Sequence, residues 1–192
     1  MSLLSDIIKV SLNPKKFSEV EDNKMGFGTV VAYIVLATIA VSIATGLSYY
    51  DGLYLRAPAF TELLIIIVFS IIFYFIAIKT TTFVTKKESK EVTENKVTRV
   101  LIMAVVFASL ISPILTAITI QAFWVDDVIG YLLVGLDILA VLYSLYLIYA
   151  GFRNFIKTDH TTALTGATWF AALSMLTGFI IRTIIFTIVY GI

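Results

Sequence analysis

The chain has 192 residues, 59% of them hydrophobic and 14% charged, with a formal net charge of +1 and a mean hydropathy of +0.98. Soluble domains carry about 45–50% apolar and about 25% charged residues, so this balance excludes an ordinary water-soluble globule and marks an integral membrane protein. Hydrophobic segments consume nearly the whole length and leave no room for a soluble catalytic domain; the lack of cysteine excludes disulfides, thiolate metal sites and cysteine nucleophiles.

In chain order, the first 25 residues are polar and partly amphipathic, and the apolar run after them is too long for the core of a cleaved signal peptide, so the N-terminus is expected to be retained. Leu3, Leu4, Ile7, Ile8 and Leu12 recur at helical spacing, with Asp6 and Lys9 off that face. This pattern predicts a short interfacial helix on the membrane surface, with Leu3, Ile7 and Ile8 in the interface, ended by Asn13-Pro14.

Crossing about 30 Å of hydrocarbon takes roughly 20 apolar residues at 1.5 Å each. On that measure the chain reads as a single all-α membrane domain, 1–192, with five spans near residues 28–48, 61–84, 97–122, 128–152 and 163–190. The second span is interrupted at Lys79, a lysine near enough to the span end to snorkel. Between the second and third spans, "KKESKEVTENK" mixes signs at four-residue spacing, Lys87 with Glu91 and Lys90 with Glu94, and reads as a solvated helical extension. The alternative for this basic loop is a docking surface for anionic lipid or a soluble protein.

Basic residues set the orientation. Lys9, Lys15, Lys16, Lys24, Lys79, Lys86, Lys87, Lys90, Lys96, Arg99, Arg153 and Lys157 fall on one side of the five spans and only Arg56 on the other. The positive-inside rule then puts the N-terminus in the cytoplasm and the C-terminus outside.

No dinucleotide, phosphate-binding, zinc-protease or serine-hydrolase motif occurs. His160 has no second imidazole near it in sequence, and Asp126 and Asp127 read as outer-loop charges rather than a cation site with Asp51 or Glu62. No metal, cofactor or nucleic acid is expected.

Charge inside a span is costly and usually faces a partner. Asp137 lies about 13 Å into the fourth span and Arg182 about 12 Å into the fifth, on faces of small residues, so the two are expected to form an intramembrane ion pair. Thr38, Ser42, Ser70, Ser112, Thr116 and Ser144 are expected to gather at or near that depth as a polar cluster, with Pro113 kinking the third span beside it. Tyr143, Tyr146 and Tyr149 face elsewhere and read as packing and interfacial aromatics.

The stretches "SLNPKKFSEV", "MGFG", "YSLYLIYAGFRNF" and "ALTGATWF" resemble the Yip family of membrane proteins (Ypt-interacting proteins), and the similarity runs over nearly the whole chain. The resemblance implies five spans with a cytoplasmic N-terminus; its eukaryotic members are associated with Rab-type GTPases and vesicle traffic. The chain lacks their long N-terminal region and the Asp-Leu-Tyr-Gly-Pro type motif, and is closer to the short prokaryotic members, for which no reaction or catalytic residues carry over. The function expected is therefore non-enzymatic: a protein that organises or scaffolds membrane components, with the lipid bilayer and copies of itself as partners. The alternative is a small transporter or channel built on Asp137 and Arg182.

Overall fold

The computed structural model describes residues 3–22, 25–48, 60–123 and 125–190, and no strand occurs among them. The chain runs α1 (Leu3–Leu12), a 3-10 helix (Pro14–Glu19), α2 (Phe27–Ser48), α3 (Phe60–Lys86), α4 (Glu94–Phe123), α5 (Asp127–Gly151), a π-helical turn (Phe152–Ile156) and α6 (His160–Tyr190). The five long helices fall on the five apolar runs, with α4 and α6 each starting three residues earlier than the hydropathy edge. Proline 113 lies within an uninterrupted α4.

Two segments, Leu64–Lys86 and Asp127–Ile156, are long and apolar enough to cross a membrane among the described residues. Only 22% and 12% of their most apolar windows are buried by the rest of the protein. A core helix of a soluble protein would be covered on its apolar sides, whereas Ile72, Ile76, Leu136, Leu139 and Leu142 stand exposed here.

Helix α4 is the axis of the bundle. Val97, Val100, Leu101, Ile102, Met103 and Ala104 are all buried, and successive helical residues point in every direction around the axis, so α4 is covered on all sides at this level. It packs against α2 on one side and α5 on the other; α6 lies against α3 and α5, and α2 against α3.

The polar linker between α3 and α4 departs from the expected helical extension. After Lys86 the chain turns, with Glu88 and Ser89 donating to the Thr85 carbonyl and Val92 fully buried. Glu94 pairs with Lys79 at 2.7 Å rather than with Lys90. A continued helix would carry the chain away from the bundle, whereas burying Val92 and returning along α3 demands a reversal.

Asp126 caps α5, accepting from the backbone N–H of Val128 at 2.7 Å and Ile129 at 3.4 Å, with Asp127 in the first turn. A carboxylate there satisfies amides that have no helical partner and complements the helix dipole, which gives Asp126 and Asp127 a structural role.

Candidate functional site

Two features stand out, a docked N-terminal segment at the basic end of the bundle and a cavity at its centre. The first is built from the 3-10 helix and the π-helical turn. Asn13 caps the 3-10 helix through the Lys15 amide, and Pro14 suits its first position. Phe17 is then buried completely, in the same core as Phe152, Phe155 and Ile156 of the π-helical turn. Asn154 donates to the Pro14 carbonyl at 3.3 Å, and the Tyr143 hydroxyl donates to the Ser11 carbonyl at 2.9 Å.

The turn that receives Phe17 is tightly determined. Gly151 sits against Val100 of α4, where an added Cβ would lie 2.5 Å from a Val100 methyl, and a Cβ added at Gly166 of α6 would lie 2.8 Å from the Phe152 ring. The chain reverses at Lys157, which holds a left-handed φ of 64°, and Thr158 secures it with backbone and side-chain donations to the Phe152 carbonyl at 3.1 and 3.0 Å. Arg153 donates to the Thr158 carbonyl at 2.7 Å.

Asp159 starts α6, accepting from the Thr162 amide at 3.1 Å. The Thr162 side chain, and then this amide, hold the Asp159 carboxyl below its ordinary value of 3.8.

Helix α1 completes the segment with a buried ion pair. Arg99 of α4 donates to Asp6 at 3.0 Å, the two side chains being 7% and 8% exposed. Ile7 and Val10 turn into the protein core, while Ile8 and Leu12 stay exposed. The stripe expected to face the membrane interface is therefore divided: Ile7 packs on protein and Ile8 points outward, with the Leu3 side chain outside the described residues. Arg99, which reads from sequence as a loop charge, is an interior residue.

The cavity measures about 390 Å³ and touches all five long helices. Alanines at 37 on α2, 104 and 108 on α4, and 171 on α6 line it, and these short side chains leave the space that Leu or Phe would fill. Six hydroxyl residues also line it: Thr38, Ser70, Tyr74, Ser144, Ser174 and Thr177. Four of them donate to the carbonyl one turn back in their own helix: Thr38 to Ile34 and Ser174 to Phe170 at 2.8 Å, Ser144 to Ala140 and Thr177 to Leu173 at 2.9 Å. The Tyr74 hydroxyl is buried without a hydrogen-bond partner among the described residues, its ring meeting Phe170 edge to face.

Such a lining suits an apolar occupant. At about 30 Å³ per water the volume would take about a dozen, each wanting two to four partners, and six hydroxyl residues, four of them with their protons committed, are too few to supply these. The remaining wall is alkyl and aromatic, including Ile34, Phe73, Leu145 and Ile148.

Of the expected polar cluster, Thr38, Ser70 and Ser144 meet at this cavity. The side chains of Ser42, Ser112, Pro113, Thr116, Asp137 and Arg182 lie outside the described residues, and with them the expected Asp137/Arg182 pair. Tyr74, Ser174 and Thr177 join the site without having been singled out from sequence. Their signal was helical spacing: Tyr74 is one turn after Ser70, and Ser174 lies between Ala171 and Gly178 on the small-residue face of α6.

The tyrosines form a continuous run of rings, Phe107 to Tyr143, Tyr146, Tyr149 and His160, with centroids 5.5 to 6.3 Å apart. His160 also meets the Tyr149 hydroxyl at 2.9 Å. No group of three His, Asp or Glu able to hold a metal ion occurs among the described residues. Compared with family models, characterised proteins and solved structures, the chain matches none.

Proposed function

We propose that this chain is a five-span, non-enzymatic membrane protein that organises membrane components through its helix faces and a basic cytoplasmic end. The observation that carries the reading is the apolar exterior: Leu36 on α2, Ile72 and Ile76 on α3, Leu139 and Leu142 on α5, and Leu176 and Phe179 on α6 are all exposed. In water such a shell would be an aggregation surface; against lipid it needs no other partner.

Lys15, Lys16, Lys86, Lys87 and Lys90, all exposed, lie at the opposite end from Asp126, and this asymmetry supports a cytoplasmic N-terminus and an external C-terminus. The lysines suit anionic headgroups, each worth about 1 kcal/mol near a charged surface. Packing of "NPKKF" onto "GFRNF" gives the Yip-like stretches a shared structural purpose and supports kinship with the short prokaryotic members of that family.

A transporter or channel centred on Asp137 and Arg182 is the second reading, favoured by the central position of the cavity. The apolar lining and inward-turned hydroxyl protons favour the first. Reconstituted into vesicles with anionic lipid, the protein is expected to leave proton, cation and small-solute permeability at the level of protein-free vesicles. It is also expected to cluster, read as energy transfer between donor- and acceptor-labelled copies. Solute flux without clustering would replace the organiser with the transporter.

A further inference from the structure

We infer that the central cavity is a lipid-chain site, entered from the bilayer between α5 and α6 by one acyl chain of a membrane lipid. The inference rests on the membrane reading above and goes beyond it by assigning a ligand. Its first support is the wall, whose alanines create the space and whose hydroxyls mostly donate to their own helices. A hydrocarbon chain asks nothing of those groups, whereas a sugar, with a donor and acceptor on nearly every carbon, would find only six hydroxyl residues on an otherwise apolar wall.

The second support is the opening. The cavity is partly open, and two lining residues, Val141 of α5 and Met175 of α6, are also exposed on the protein's exterior, at 46% and 75%. Around them stand Ile138, Leu142, Leu176 and Phe179, all exposed. The mouth thus opens onto the apolar flank rather than onto the charged end, so the molecules facing it are lipid chains. Methionine at the rim suits this use, since its unbranched thioether adapts to a mobile chain.

The test uses the full chain in phosphatidylcholine vesicles in which a fraction of the lipid carries a diazirine on one acyl chain. After photolysis, labelled residues are identified by peptide mass spectrometry. Labelling is expected at cavity residues such as Tyr74, Leu145, Phe170 and Ser174 as well as on the outer face at Leu139 and Phe179. Moving the diazirine along the chain should move the cavity label. Filling the space with Ala108→Phe, or with Ala171→Leu should the first fail to fold, should abolish cavity labelling and leave the outer label unchanged. Labels confined to the outer face, or cavity labels that survive filling, overturn the lipid-chain site while leaving the membrane reading intact. Labels on neither surface overturn both.

Discussion

Neutralising one member of the Asp6/Arg99 pair should release the N-terminal segment. Both side chains are almost wholly buried and 3.0 Å apart, so salt screens them little. Removing one takes this contact away from a charge that stays interior, at a cost of up to about 3–5 kcal/mol. At about 1.4 kcal/mol per decade, this raises the population with α1 undocked by up to about 100- to 4,000-fold. If the loss is global instead, it corresponds to a fall in Tm of about 6–20 °C for a chain of this size. Because the protein has no cysteine, a single Val10→Cys reports docking cleanly: Val10 is fully buried, and its reaction with a water-soluble maleimide tracks α1 opening. Asp6→Asn and Arg99→Gln should each accelerate that reaction. The double variant Asp6→Leu/Arg99→Met should fall well short of the summed losses, since a neutral apolar pair leaves no buried charge. Unchanged labelling in both single variants, or strict additivity in the double, would refute the pair as the latch for α1.

Gly151→Ala should destabilise by about 1–3 kcal/mol, because the new methyl meets Val100 methyls at 2.5 and 2.8 Å and α4 and α5 must separate; thermal unfolding in detergent measures this, and Val100→Ala in the same chain should recover part of the loss. Asp159 has a lowered folded-state pKa, so its contribution as the α6 cap is fully present above the ordinary carboxylate value and is lost as pH falls through the folded one. Asp159→Asn, which retains the cap without titrating, should therefore weaken the acid-limb decline in thermal midpoint, and an identical pH profile in both proteins would contradict the assignment.

The sequence determined the long helices on its own. Runs such as 64–78 and 128–152 are longer than any soluble strand and more apolar than a half-buried helix, and backbone hydrogen bonds in lipid have to be satisfied within the segment. It also located the end of α1 at Asn13-Pro14, because proline constrains the backbone locally. Local rules likewise marked Thr38 and Ser70 as residues at one depth, and Ser144 as a residue on the Asp137 face of its helix.

What only the tertiary structure decided is which neighbour each face meets. Apolar content does not say which face of a helix another helix will cover, so the burial of Val97, Val100, Leu101, Ile102 and Met103 on α4 and the exposure of Leu136, Ile138 and Leu139 on α5 were not legible from hydropathy. Arg99 illustrates the point: by sequence it is one more cation at a span edge, and by packing it is the interior partner of Asp6, 93 positions away. The cavity has the same origin, since Ala37, Ala104, Ala108 and Ala171 are unremarkable one by one and leave a space only when three helices bring them together. Secondary structure in a membrane chain is dictated by short-range solvation and hydrogen bonding, whereas voids and buried ion pairs depend on rotations and depths of whole helices, which apolar patterning alone does not specify.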